Sequence, residues 1–532
     1  MENQVAVLIV VLTIMIVIGI TYYSRRSTKT TSDFYVAGGK ISWQLNGLAM
    51  LGDYASAATF LGISGAIALS GIDGWWIGIG FFAAWIVVLL VAAGPIKNTG
   101  KFTIADAVIA RFGKRSDFRV VAMICTLIIG TLYLVPQMVG AGHLFNLLLG
   151  WDYLVTVIGT GVLMGAAVIV GGMRGTTYNQ AIQGIVLWGA LMFLLAAVTI
   201  SYFGGNPFSI VSAGQEMVPP VLAVESLEVV NDTEDAAAAI ASVRALMPDA
   251  ASAMTPGVVL PALADQISLV LALAFGALGL PHILMRFYTV QDARAAQKSA
   301  ELTIWGLATF YAAVLFVGLA AMYVLYPTLV QLLAEGQGGI ATNMVIPMLS
   351  EKIGGQIFLG VVAAGAMAAM ISTATGLLIS MTSSLAHDLY ANILKPNSVE
   401  SEQLVFAKVG AGALTVLAIA MSIWLKDQNV AILVSMCFGI AASTFAPVLL
   451  TTLWWKRVTI QGIVAGMGVG LVVSLFFTFA KFLGMENVAG LPILTNPALY
   501  SIPVALLALI TVTYLTKTSG NAEEFLATAH KN

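Results

Sequence analysis

The chain has 532 residues, 59% of them hydrophobic and 9% charged. Soluble proteins carry roughly 25% charged residues, so a water-soluble enzyme of the usual kind is excluded, and a net charge of −2 leaves no basic face for nucleic acid. Cys125 and Cys437 both lie inside apolar runs, which argues against a disulfide framework and against a cysteine metal site.

A bilayer-crossing helix needs about 20 apolar residues. Apolar windows predict thirteen such spans, near 4–23, 43–72, 76–94, 119–147, 153–171, 181–202, 266–285, 303–326, 356–385, 404–425, 429–453, 459–480 and 500–516. The first follows Met1-Glu2 without a basic leader or a cleavage site, so it reads as a retained helix and not a signal peptide. With the N-terminus outside, only Arg244, Lys352, Lys426 and Lys481 remain outside. All other Lys and Arg, including Arg25, Arg26, Lys29, Lys114 and Arg286, fall on the cytoplasmic side, as the positive-inside rule asks. The C-terminus is then cytoplasmic, and the short tail leaves no room for a kinase or sensor domain. One long outer connection, Gly204 to Asp265, carries eight acidic residues, Asp232 and Glu234 among them, against one Arg. It reads as a solvated elaboration with a helical stretch over 235–246, or alternatively as a cation-attracting vestibule.

Two spans do not read as uniform helices. The second holds Gly52-Asp53-Tyr54-Ala55-Ser56-Ala57-Ala58-Thr59-Phe60-Leu61-Gly62-Ile63-Ser64-Gly65, and the seventh holds Phe275-Gly276-Ala277-Leu278-Gly279-Leu280-Pro281-His282. Gly and Pro weaken helices, and unpaired backbone at membrane depth survives only where protein or a watery cavity satisfies it. The two lie five spans apart and so run in opposite directions, the sequence signature of an inverted-repeat transporter with its site at the breaks. Frequent Gly and Pro for close packing and kinks is the plainer alternative.

At these residues the chain resembles the sodium:solute symporter family, and within it the acetate permease branch. The resemblance runs through Ser32-Asp33-Phe34-Tyr35-Val36-Ala37-Gly38-Gly39, Gly52-Asp53-Tyr54, Gly62-Ile63-Ser64 and Gln137-Met138-Val139-Gly140-Ala141-Gly142. It continues in Gly171-Gly172-Met173, Leu280-Pro281-His282-Ile283-Leu284-Met285-Arg286-Phe287 and His387-Asp388-Leu389-Tyr390-Ala391-Asn392. It implies an all-α, leucine-transporter-like fold with two inverted five-helix repeats. The expected units are an N-terminal helix and loop (1–42), a first repeat (43–202), the acidic loop (203–265), a second repeat (266–453) and two C-terminal helices with a tail (454–532). It also implies a symporter in a bacterial plasma membrane that uses sodium as coupling ion and takes up a small monocarboxylate such as acetate, propionate, pyruvate or lactate, with no obligate protein partner.

The same resemblance places sodium on the carbonyls of Gly52 and Ala55, the carbonyl of Ala369, and the hydroxyls of Ser372 and Thr373. Helix geometry is compatible, since the carbonyl of residue i lies beside residues i+3 and i+4; the alternative is that both hydroxyls bond back to their own helix. Ser372 and Thr373 depart from the acetate branch, which is apolar there. Gln180 stands where some members carry a second sodium-linked carboxylate, so one sodium is expected. Asp53, an acid within a span, is functional by default: it could carry a proton, attract sodium, or brace the unwound segment. Position in the fold implies a pocket lined by Tyr54, Ser56, Thr59, Tyr133, Gln137, Leu273, Phe275 and Ala277. With no cation expected at mid-depth, half-helix dipoles and sodium itself would hold an anion. His282 reads as packing and Arg286 as a cytoplasmic-end anchor. A same-fold symporter for an amino acid, sugar or vitamin, proton-coupled uptake, and a channel or membrane enzyme remain as alternatives; the scattered histidines His143, His282, His387 and His530 favour no enzyme.

Overall fold

The computed structural model describes residues 4–24, 30–56, 58–113, 115–231, 235–517 and 522–531. Arg25, Arg26, Lys29, Ala57, Lys114, Asp232 and Glu234 lie outside the described residues. The described chain is helical apart from short elements and one antiparallel pair, Asn487–Val488 with Leu491–Pro492. Among the described residues, eleven helices are long and apolar enough to cross a membrane. That number joins the outer half of the second span to the third (Ala58–Val91) and omits the shorter apolar helix Tyr153–Ile169; separated, these give the thirteen expected spans.

Glycines in the left-handed region set two of the boundaries. Helix Tyr153–Tyr202 is interrupted at Gly172, with φ 59° and ψ −171°, which divides the fifth span from the sixth. Helix Val345–Ser383 is interrupted at Gly354 and Gly355, the latter at φ 60°, so the ninth span starts at 356 as expected. Such a backbone would strain any residue bearing a Cβ. Other boundaries move: the eighth span begins at Ala293, with exposed Arg294, Gln297 and Lys298 in its first turns, and the sixth directly after Gly172, with Thr176, Thr177, Asn179 and Gln180 buried, because polar residues depress hydropathy without ending a helix.

Both expected breaks are present. The second span runs Trp43–Tyr54, loses helical geometry at Ala55 (φ −72°, ψ 75°), and resumes through a widened turn, Ala58–Gly62, into Ile63–Ser70. The seventh runs Leu263–Gly276, passes through the tight turn Ala277–Gly279 and an extended Leu280, and restarts at Pro281. Proline dictates that restart, since it forces the preceding residue out of helical geometry and suits a first helical position, where no N–H is needed. Gly276 lets the break press against the eleventh span, where a Cβ would sit 2.7 Å from the Phe438 backbone oxygen.

The long connection between spans six and seven, expected outside, is bonded to the rest of the fold at several points. Val221 N–H donates to Leu69 O (3.3 Å) and Ile72 N–H to Ala253 O (2.7 Å). The Asp73 carboxylate accepts from the amides of Gly257, Val259 and Leu260 at 2.7, 2.6 and 3.3 Å. The Ala-rich stretch forms helix Ala236–Leu246, capped by Asp235. On the face expected to be cytoplasmic, Arg119 joins Asp106 (2.9 Å) and Asp388, and His387 meets Asp106 at 3.2 Å.

Candidate functional site

Of the sodium-site candidates, Gly52, Ser372 and Thr373 come together at the first break, with the Asp53 carbonyl standing where the Ala55 carbonyl was expected. On the ninth span, Thr375, Ser380 and Thr382 spend their hydroxyls on their own helix, donating to Ser372 O, Leu377 O and Leu378 O at 2.7–2.8 Å. Ser372 and Thr373 do otherwise. Ser372 Oγ donates to Gly52 O (3.1 Å) and Thr373 Oγ1 to Asp53 O (2.6 Å), across to the last turn before the break. Both residues are fully buried, as are Ala55 and Ala369. Two hydroxyls and two carbonyl oxygens, those of Gly52 and Asp53, therefore face one another in a buried place, the kind of oxygen donor that a hard cation favours. Gln180 adds a donor: its Nε2 bonds Ser372 O at 2.9 Å.

Beside this set lies a feature that the sequence reading placed wrongly. Arg286 is not an anchor at the cytoplasmic end. It has 0% exposure, and its Nε meets Asp53 Oδ2, also at 0%, at 3.4 Å, while its Nη1 donates to Thr177 Oγ1 at 2.8 Å. A cation thus does lie at depth, and Asp53 forms an ion pair with it. The carboxylate fits only because span nine carries Gly376 there: a Cβ on Gly376 would stand 2.9 Å from Asp53 Oδ1.

The expected pocket residues are only partly brought together. Tyr54, Tyr133 and Phe438 form a ring cluster with centroids 5.8–6.1 Å apart, which Phe81 and Trp85 extend at 4.8–5.8 Å. Tyr54 Oη donates to Phe81 O (3.0 Å). The Tyr133 hydroxyl faces Ser56, and Thr59 Oγ1 donates to Ser56 O (2.9 Å). Gln137 and Ala277 are buried. Leu273 turns toward Gly80 of the third span, and the half-buried Phe275 makes none of the cluster's ring contacts described here. Phe81, Trp85 and Phe438 were missed; no local motif marks them, and only the packing of spans three and eleven onto the breaks reveals them. His282 lies edge-on to Tyr133 at 5.3 Å, with both ring nitrogens buried and without a hydrogen-bond partner among the described residues.

One further group could hold a metal by geometry. Ligand atoms of Asp106, His387 and Asp388 lie within 4.8 Å of one another, but the Arg119 guanidinium already supplies the countercharge there. Burial works to raise the Asp106 carboxyl, and His387, Arg119 and the Phe102 amide outweigh it, so the group lies well below the ordinary carboxylate range.

A family model described as the sodium:solute symporter family matches residues 34–470. The chain belongs to this family. This sodium:solute symporter is 37% identical over 514 residues to the uncharacterized symporter YwcA of Bacillus subtilis (strain 168), with 95% of this chain and 93% of that one covered. Among solved structures it is similar to a Na+-coupled sialic acid symporter (TM-score 0.71, 16% identity, 97% and 98% of the two chains covered). It is also similar to Mhp1, a nucleobase-cation-symport-1 family transporter (0.51, 13%, 94% and 96%), and to MhsT (0.50, 14%, 90% and 99%). At these identities the likeness is one of fold, the leucine-transporter-like arrangement in which two broken helices head oppositely directed halves. The protein is a multi-pass membrane symporter with sodium as coupling ion.

Proposed function

We propose that this symporter uses one sodium ion to drive uptake of a small monocarboxylate, of the acetate, propionate, pyruvate or lactate class, as expected for the acetate permease branch. The reading puts the N-terminus outside a bacterial plasma membrane, the repeats at 43–202 and 266–453, and no catalytic chemistry. Sodium would bind the carbonyls of Gly52, Ala55 and Ala369 and the hydroxyls of Ser372 and Thr373. The observation that carries this placement is the contrast along span nine: these two hydroxyls reach across to the broken helix while Thr375, Ser380 and Thr382 bond backward.

The substrate would lie against Tyr54, Ser56, Thr59, Tyr133, Gln137, Leu273, Phe275 and Ala277. Close ring packing around Phe438 and few hydroxyls suit a two- to four-carbon acid better than a sugar, which needs many polar partners. Because Asp53 already engages Arg286, sodium and the positive end of the resumed helix are left to attract a carboxylate. Sodium and carboxylate then strengthen each other's binding by one common factor, and occupancy of both lets the inner path open.

The test is uptake of labelled acetate, pyruvate, lactate and proline into proteoliposomes with sodium and proton gradients imposed separately. Sodium-driven acetate or pyruvate uptake supports the reading. Tight handling of proline or glucose with indifference to acetate and pyruvate moves the protein to another solute, and full uptake on a proton gradient in sodium-free medium removes sodium as the driver.

A further inference from the structure

We infer that Arg286 is a positioning residue for coupling: it fastens the inner half of the seventh span to the sodium-bearing turn of the second, so that sodium occupancy controls the inner exit. The inference rests on the sodium placement above and goes beyond it.

Arg286 and Asp53 sit on different broken helices, 233 residues apart in sequence, each fully buried. Two charges inside a membrane protein are expensive and are kept where they serve function. Asp53 carries both ends of the link. Its backbone oxygen accepts from Thr373 of the candidate sodium shell, and its carboxylate pairs with Arg286. The ligand set and the ion pair are therefore separated by one residue's own covalent frame.

The rest of the inner half is stitched to the same helix. Asn46 Nδ2 donates to Arg286 O (3.3 Å), Thr289 Oγ1 donates to Asn46 Oδ1 (3.0 Å), and Ile41 N–H donates to Thr289 O (3.0 Å). Residues 281–289 and 41–54 are thus joined at the break by charge and at the cytoplasmic end by hydrogen bonds. The outer halves, Ile63–Ser70 and Leu263–Gly276, lie beyond the breaks and stand outside this set of bonds. The two inner halves are also bonded to span six (Arg286 Nη1 to Thr177 Oγ1) and span eight (Ser299 Oγ to Trp43 O, Thr303 Oγ1 to Gly47 O), so they swing together with these neighbours, and the segment touching sodium is part of the moving body. Sodium that draws Gly52 and Ala55 toward Ser372 and Thr373 pulls that body with it; without the Arg286 link, the inner half of span seven keeps only its hydrogen bonds at the cytoplasmic end and loses its tie at the break.

The experiment uses the full chain in proteoliposomes. Arg286→Gln alone leaves Asp53 as an unpaired buried charge and can fail to fold, so the double variant Asp53→Asn/Arg286→Gln, which removes both charges, is the decisive one. Two readouts are taken, direct sodium binding and the substrate accumulated at a fixed sodium gradient. The expected result for the double variant is sodium affinity within about threefold of the wild type, accumulation reduced about tenfold or more, and a substrate-independent leak of radioactive sodium. Arg286→Lys, which keeps the charge, should recover part of the accumulation. Wild-type accumulation without leak in the double variant overturns the inference. A large loss of sodium affinity in the double variant also overturns it, since Asp53 would then belong to the sodium site itself. Ser372→Ala run alongside separates the two claims: unchanged sodium affinity there sinks the sodium placement, whereas weakened affinity with a fully coupled double variant sinks the Arg286 link alone.

Discussion

Replacing Ser372 and Thr373 together by Ala removes two of the five proposed sodium ligands while disturbing packing little, because both side chains are small. Losing a partner to a charged group costs roughly 1.5–3 kcal/mol. Part of that cancels, because the ion-free protein also loses the bonds from these hydroxyls to Gly52 O and Asp53 O, each worth about 1 kcal/mol. The net loss is then roughly 0.5–2 kcal/mol per hydroxyl and about 1–4 kcal/mol for the pair. At 1.4 kcal/mol per decade this is about fivefold to several-hundredfold in sodium affinity. The assay is the sodium concentration for half-maximal uptake of labelled substrate, with substrate affinity measured at saturating sodium, where it should change far less. Ser380→Ala is the control, since that hydroxyl donates only backward, to Leu377 O at 2.8 Å. If the double variant expresses normally and keeps the sodium requirement of Ser380→Ala, the two hydroxyls only tie the broken helix in place and the ion binds elsewhere.

Three further outcomes follow from the same geometry. Uptake at fixed pH should collapse when the sodium gradient is removed, measured with labelled acetate or pyruvate in proteoliposomes, and persistence of that uptake would contradict sodium coupling. Gly376→Ala should destabilise by about 1–3 kcal/mol through overpacking, because its methyl would stand 2.9 Å from Asp53 Oδ1 and 3.2 Å from Gln180 Nε2. Gly365→Ala, whose nearest new neighbour is 3.6 Å away, should melt near the wild-type temperature. Asp106 binds its proton more weakly in the folded protein than at the ordinary 3.8, so its contribution to stability is present above about pH 4 and falls away as the pH drops below that. The melting temperature of Asp106→Asn in detergent should accordingly fall less between about pH 5 and about pH 3 than that of the wild type.

Most of the fold was legible because the bilayer allows so few answers. Backbone groups in lipid must be satisfied within a helix, so length and hydropathy locate spans, and residues that break helices stand out. Gly276, Gly279 and Pro281 announced the second break, and Asp53 with its neighbouring Gly and Ser announced the first. What hydropathy misread was the extent of helices beyond the apolar slab: Ala293–Val324 starts with Arg294, Gln297 and Lys298, good helix formers that a hydropathy window discards. The fastening of the outer connection was also invisible, since it depends on backbone amides presented to Asp73.

The site divided along a physical line. Ser372 and Thr373 could be singled out because the family resemblance pointed to them, and a hydroxyl pair one turn beyond a carbonyl is a local pattern compatible with that placement. Arg286 could not be placed by the same means. A continuous helix ending near residue 285 puts position 286 at the interface, where a cation anchors. The broken helix restarts at Pro281, so Arg286 lies only about 7.5 Å along the axis from the break at 1.5 Å per residue. At that depth its charge is tolerable only with a partner, and Asp53 is 233 residues away in sequence. Each charge looked anomalous or peripheral alone, and the break brings them together. The break in span two presents Asp53 and its neighbouring carbonyls, the break in span seven draws Arg286 inward, and the two breaks together set the candidate ion site beside the buried pair.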